Sequence, residues 1–222
     1  MILLVGSYYE SDKDREEEFL FCLKKNFKSE IFDNIHVLFD VSKGKCGKVL
    51  EFIKENNIYV KFINERHKYF DFFEHSKTVD DEIIVIANSD IYFDETIYLV
   101  KKLNMNNKFI VLSRWNDIRN GTIKFWPVDC DHSGTADTWI FKNPIKDMES
   151  NILLGAHFCD GRIAYEAKQV GYKVINPCYS IKTYHVHNLG TVNSMNGDHR
   201  YGDFPWEDNI YFEKIDKYIK EG

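Results

Sequence analysis

Through the first half of the chain, short apolar runs alternate with segments whose apolar residues recur every three to four positions. Residues 2–5 are a continuous apolar run closed by Gly6 and Ser7. Residues 16–27 then carry Phe19, Leu20, Leu23 and Phe27 with charges between them, which is helical spacing. The alternation continues with a strand over 35–39, a helix over 48–56, a strand over 58–63 and an aromatic-rich helix over 66–77. Residues 82–87 are the most hydrophobic run and are expected at the centre of a sheet. A helix over 95–103 and a strand over 109–113 follow. Strands alternating with helices predict a mostly parallel sheet covered on both faces.

After Trp115 the rhythm changes. Residues 115–140 hold Gly, Pro, Asp and His with only short apolar runs, and read as strands and loops that build a site. A helix is expected over 160–170, where Ile163, Ala164, Ala167 and Val170 share one face and Gly171 stops it. Short strands over 173–175 and 180–187, a polar Gly-rich loop over 188–206 and a terminal helix over 209–220 complete the chain. A soft break near residue 188 separates a main unit, 1–187, from a C-terminal loop and helix, 188–222.

Composition narrows the classes. The chain has 222 residues, 44% of them hydrophobic and 15% aromatic, which suits one globular domain rather than a disordered chain. The net charge of −6 gives no sign of the basic face that duplex binding requires. Five cysteines, with no CxxC pair, argue against a disulfide framework or a cysteine-based zinc site and point to a reducing cytoplasm. No apolar stretch approaches the roughly 20 residues of a membrane span, and the short first apolar run lacks the basic leader of a signal peptide.

In parallel α/β sheets, ligands bind at the carboxyl ends of the strands. Polar groups follow four of the expected strands here: Ser7 with Tyr8, Asp40, Asn64 to Arg66, and Asn88-Ser89-Asp90. Asp90, after the most buried strand, suits a hard cation such as Mg2+ or Mn2+, which takes one or two carboxylates plus substrate phosphates. Asp94 is better read as the cap of the following helix. Asp137 beside Trp139 suits sugar recognition, with the carboxylate accepting hydroxyl protons and the ring covering an apolar sugar face; a strand start with a buried Trp fits equally. Asp129, Asp131 and His132 lie upstream and either line the same cleft or form an exposed turn. Asp160 opens a helix, where the dipole favours its ionised form as a base, but on position alone a plain helix cap is the favoured reading. His185 and His187 alternate on a strand, so both face one side and either can join Asp90 at a metal. Arg200, in the polar loop, is either a phosphate clamp or simply exposed.

These clusters, in this order, resemble the glycosyltransferase-A fold. The strings IANSDIYFDETI, DTWIFK, CDGRIAYEAKQVGYKVINP and IKTYHVHN look more closely like a family of uncharacterised glycosyltransferases, over roughly residues 60–190. The resemblance implies an α/β fold with a Rossmann-like, mostly parallel central sheet flanked by helices and a mixed acceptor-side region. It implies a nucleotide-binding half over 1–113 and an acceptor half over 114–187. By the same resemblance, Ser7, Tyr8 and Asp40 hold the base and ribose, uridine being expected. Asn88, Ser89 and Asp90 form the metal motif, with Asp90 and His185 or His187 on Mn2+ or Mg2+. Arg66 and Arg200 meet the diphosphate, Asp160 is the base, and Asp137 with Trp139 orients a sugar. Two positions depart from the general motifs of the glycosyltransferase-A fold: Asn88 stands where the first carboxylate of DxD is usual, and Cys159 where the Glu of xED is. The implied activity is metal-assisted, inverting transfer from a nucleotide-sugar donor to an acceptor hydroxyl on a glycan, protein, small molecule or modified nucleic acid. The alternatives are a sugar nucleotidyltransferase, disfavoured because GSYYESD lacks a Gly-rich basic loop, and a non-catalytic sugar-binding derivative. Oligomeric state is not legible in the sequence.

Overall fold

The computed structural model describes residues 1–80, 82–125, 132–133, 136–156, 158–186 and 210–219. Among them, β1 (Ile2–Tyr8), α1 (Lys13–Lys28), β2 (Asn34–Asp40), α2 (Lys48–Glu55), β3 (Tyr59–Ile63), α3 (Tyr69–Ser76) and β4 (Ile83–Ala87) form the alternating first half. Then come β5 (Ile91–Phe93), a 3-10 helix (Glu95–Lys102), β6 (Lys108–Leu112), β7 (Trp115–Asp117), β8 (Ile123–Phe125), β9 (His132–Ser133) and β10 (Thr138–Lys142). The chain closes with α4 (Cys159–Gln169), β11 (Lys173–Ile175), β12 (Thr183–Val186), β13 (Ile210–Tyr211) and α5 (Asp216–Ile219).

The main sheet has seven strands in the order β11-β6-β10-β4-β1-β2-β3. The hydrophobic run that was expected at the centre, β4, is the middle strand. The sheet is parallel except for β10, which enters antiparallel between β4 and β6. Strand alternation sends side chains to two cores. Leu3, Val5, Val85 and Ala87 pack with α1 and α2. Ile2, Leu4, Ile84 and Ile86 pack on the face that carries α3 and α4. Each face so covered buries enough apolar surface to dominate the folding free energy.

A second sheet, β5-β12-β7-β8, extends the first past its carboxyl edge. Strand β5 follows β4 after three residues, and β7 follows β6 after two. Strand β12 lies between them, with His185 opposite both Ile91 and Asn116. Helix α1 is fastened to this sheet by a side-chain amide. Asn26 donates to the Ile91 carbonyl at 2.9 Å and accepts from the Phe93 amide at 3.1 Å, acting as a strand neighbour for β5.

Three expectations need correcting. The segment over 95–103 is a 3-10 helix rather than an α-helix, capped by Asp94. The terminal helix shrinks to α5, because Ile210 and Tyr211 instead pair with β9. Helix α1 begins three residues earlier than its apolar periodicity suggests, because Asp12 accepts from the amides of Asp14 and Arg15 and caps it there. Phe212, Ile215 and Tyr218 are buried in the first core, so the described C-terminal residues pack on the main unit. Among the described residues no helix is long and apolar enough to cross a membrane.

Candidate active site

Topology brings the candidate residues to one edge. Tyr8 ends β1 opposite Asp40 at the end of β2. Asn88, Ser89 and Asp90 follow β4, and the antiparallel entry of β10 places Thr138 opposite both Ala87 and Leu112, so Asp137 starts at that same edge.

Asp90 is 6% exposed. Its Oδ2 accepts from Arg15 Nη2 at 2.5 Å and lies 3.1 Å from His185 Nε2. Arg15 also pairs with the buried Glu18. Burial works to raise the Asp90 carboxyl, but His185 and then Arg15 outweigh it and hold the group well below the usual carboxylate range. The Val186 amide donates to the Asp90 carbonyl at 3.0 Å, which locks the register of β12 against the motif. The Asp90–His185 contact fulfils the juxtaposition expected from the sequence. His187 and Arg200 lie outside the described residues, as do Asp129 and Asp131, and the side chain of His132 is not described.

A second cluster adjoins it. Asp137 accepts from Asn88 Nδ2 and from Arg114 Nη1, both at 2.8 Å. Burial would lower the Arg114 guanidinium, but the charges of Asp137, Asp90 and Asp160 outweigh that and raise it. Its direct contact is with Asp137, at 2.8 Å. Asp160 accepts from the Ala136 amide at 2.7 Å and the Gly161 amide at 3.0 Å. Burial pushes Asp160 up to about 7 against these two hydrogen bonds, with the Asp137 charge adding to the rise. The turn into α4 passes through Phe158 in the left-handed region, φ 65°, which costs a non-glycine residue about 1 kcal/mol.

The two departures from the general motifs of the fold have local causes. Asn88 is a donor to Asp137, a role an Asp cannot fill. Cys159 is buried, and Tyr69 OH donates to its sulfur at 3.6 Å, where a longer charged side chain has no room to be solvated.

Two assigned donor residues do not reach the cleft. Trp139 is 0% exposed and stands edge-on to Tyr69 at 4.9 Å between ring centroids, inside the core on the α3 and α4 face. It has no free face for a sugar. Ser7 is 2% exposed and lines a small cavity of about 10 Å³ with Phe19, Leu23, Val37 and Val49. Ser89 donates instead to the Gly6 carbonyl and ties the motif to β1. Tyr8 stays at the edge, within electrostatic reach of Arg15, Asp90 and Arg66. Lys43 Nζ covers its ring at 4.4 Å. Asp40 is buried and accepts from the Ser42 amide at 2.8 Å. Arg66 is exposed and donates to the Leu154 carbonyl at 3.2 Å.

The residues around Asp90 suit the expected Mn2+ or Mg2+. Asp90 Oδ1 is a buried carboxylate oxygen with no hydrogen-bond partner, the kind of atom a hard cation satisfies. With His185 alongside, the residues fit a cation that takes its remaining ligands from phosphates and water. Among the described residues no group of three His, Cys, Asp or Glu side chains forms a protein-only site.

Sequence reasoning missed Arg15 and Arg114. Arg15 lies 75 positions from Asp90 in a charge-dense segment that reads as solvated. Its one signal is that Arg15, Glu18, Cys22 and Asn26 recur at three- and four-residue steps, a polar stripe on the helix face that meets β5.

No protein-family model and no curated protein matches the sequence. Solved structures do resemble the chain. The mannosyltransferase PcManGT from Pyrobaculum calidifontis, in complex with GDP-Man and Mn2+, is 12% identical with a TM-score of 0.52, covering 86% of this chain and 58% of that one. TarS from S. aureus in complex with UDP-GlcNAc is 13% identical with a TM-score of 0.51, covering 92% of this chain and 62% of that one. The chain thus spans about three fifths of the length of these structures. At these identities the likeness is one of fold: the chain has the glycosyltransferase-A, nucleotide-diphospho-sugar transferase fold.

Proposed function

We propose that the protein is a glycosyltransferase that moves a sugar from a nucleotide-diphosphate donor to an acceptor hydroxyl with inversion. One observation carries this. Asp90 follows β4 and Asp160 accepts from the Ala136 amide beside Asp137 at the same sheet edge, the first held ionised against His185 and Arg15 and the second poised near neutrality. Such a split is the pattern of a charge-holding group beside an acid–base group.

In the proposed roles, Tyr8 and Asp40 hold the base and ribose at the ends of β1 and β2, with uridine expected. Arg66 meets the diphosphate from the rim. Asp137 fixes Arg114 through their ion pair, and Arg114 counters charge between the two halves of the site. Asp160 accepts the proton of the acceptor hydroxyl as its oxygen bonds to the anomeric carbon and the bond to the diphosphate oxygen breaks. A single displacement of this kind inverts the stereocentre. A bound Mn2+ or Mg2+, held by Asp90 and His185, supplies Lewis-acid neutralisation of the leaving diphosphate.

The test is donor turnover with UDP- and GDP-sugars, with and without Mn2+. Asp160→Asn is expected to lower kcat/KM by about 10²–10⁴-fold, the usual worth of a positioned base, with an unchanged circular dichroism spectrum. Wild-type turnover by this variant refutes the assignment of the base. Activity on nucleoside triphosphates plus sugar phosphates moves the protein to the nucleotidyltransferases, and a folded protein that turns over no donor is a binding derivative.

A further inference from the structure

The cation position beside Asp90 already holds a cation that belongs to the chain. Arg15 Nη2 is 2.5 Å from Asp90 Oδ2, and the other arm of the guanidinium rests on Glu18. Glu18 is almost fully buried, while the Arg15 side chain is 22% exposed, so the guanidinium forms the boundary between core and cleft. Tyr8 ends β1 opposite Asp40 of β2, and Asp90 follows β4, the strand on the other side of β1, so the Arg15–Asp90 pair lies at the edge used in the donor assignment. Arg15 does not drift there. Its helix starts at the Asp12 cap three residues earlier and is pinned to β5 by Asn26 three turns later.

A dication bound to Asp90 and a guanidinium bound to the same carboxylate repel one another, so the two compete. A guanidinium has five N–H donors, and two neighbouring carboxylates leave some of them available. Its planar fork matches phosphate oxygens as well as carboxylates. Resting on the donor assignment made above, we propose that Arg15 is a donor-diphosphate ligand that guards Asp90. Without substrate it holds Asp90 and opposes metal entry. When a nucleoside diphosphate arrives, the guanidinium takes the phosphate oxygens and leaves Asp90 to the cation, so metal and donor bind together. Asp90 Oδ1, buried without a partner, is the atom left ready for the second partner of that exchange.

The experiment is calorimetric titration of the full chain with Mn2+ alone, then with UDP or GDP in saturating Mn2+. Arg15→Gln is expected to shift the two affinities in opposite directions: Mn2+ alone binds at least tenfold tighter, and the nucleotide at least tenfold weaker. A structural role for Arg15 weakens both together, and that result overturns the proposal, as does no change in either. Because Arg15→Gln removes an ion pair from the buried Glu18 and can fail to fold, Arg15→Lys is the second variant. It keeps the charge and loses the fork, so Mn2+ affinity is expected to stay at the wild-type value while nucleotide affinity falls several-fold; loss of neither overturns the proposal. If wild-type protein binds no nucleotide under any condition, the donor assignment itself falls and takes the Arg15 role with it. Nucleotide binding in the wild type without opposite shifts in the variants defeats the Arg15 role alone.

Discussion

Asp90 and Asp160 are the same residue at the same sheet edge, and both are nearly buried, yet they are held in opposite states. Asp90 faces side-chain donors: His185 at 3.1 Å and the Arg15 guanidinium at 2.5 Å offset its desolvation. Asp160 accepts from the backbone amides of Ala136 and Gly161, and they do not offset its burial and the nearby charge of Asp137. Neutral donors stabilise an anion less than a guanidinium does. The lesson is that one edge of an α/β sheet makes a permanent anion and a titrating base from one side chain by choosing its neighbours. The choice is made by distant segments, α1 and β12 for Asp90 and the start of β10 for Asp160.

The sharpest way to break this contrast is pH. Asp160 has its folded pKa near 7, against 3.8 as its ordinary value. Between those values the folded protein holds a proton that the unfolded chain has released. Stability therefore falls as pH rises from about 4 to about 7 and stays reduced above that. The full difference is about 4 kcal/mol, taking about 1.4 kcal/mol for each of the roughly three pKa units. Asp160→Asn removes the titration, so its stability relative to wild type should climb across that window and then level off. Asp90, depressed in the fold, behaves the other way: its contribution is complete above about pH 4, and Asp90→Asn should lose a constant amount from pH 5 to pH 9. Chemical denaturation over that range reads both curves. Two parallel curves would show that the two sites do not differ. In the enzyme assay the same group gives kcat/KM a rising limb with a midpoint near 7.

A smaller effect tests why the motif begins with Asn. Asn88→Asp restores the first carboxylate of the DxD motif but removes the donor to Asp137 Oδ1 and sets anion against anion. A loss of about 1–3 kcal/mol is expected, the cost of stranding a buried acceptor. Mn2+ affinity should not improve, because the added carboxylate faces Asp137 and not Asp90. Tighter Mn2+ binding with unchanged stability would mean that the Asn88–Asp137 contact is incidental.

What the sequence disclosed, and what it concealed, follows the range of the interactions. The strands and the edge they build were legible because burial on both faces writes continuous apolar runs such as the one in β4. The pairing of Asp90 with His185 was legible because both sit at strand ends. Trp139 misled because Asp137, two residues earlier, does lie at the edge, and a strand only a few residues long carries the chain from cleft to core. Ser7 misled in the same way: it continues the alternation of Leu3 and Val5 into the α1 core. Arg15 left almost no local trace, since its role is fixed by a contact 75 positions away. The 3-10 helix and the shortened α5 were lost to tertiary contacts that periodicity does not record.

The smallest effect isolates Asp90 from its near neighbour Asp94, four residues on, which by spacing alone competes as a second metal carboxylate. Asp94 Oδ1 accepts from the Thr96 amide at 2.9 Å, and its Oδ2 accepts from Tyr184 OH at 2.6 Å. Tyr184 in turn stacks on Tyr92, with centroids 4.9 Å apart, on the face of β12 away from His185. Asp94 thus fastens the start of the 3-10 helix to the strand that carries the histidine, and no carboxylate oxygen is left for a cation. Asp94→Ala removes a helix cap and strands a tyrosine hydroxyl, so a loss of about 1–2 kcal/mol is expected. Asp94→Asn keeps the cap acceptor and should recover about half of that. Mn2+ affinity should stay within a factor of about two in both, where an Asp90 substitution abolishes it. If Asp94→Ala instead loses metal binding while its melting temperature is unmoved, the cation belongs to Asp94, and the division of labour along this edge must be redrawn around it.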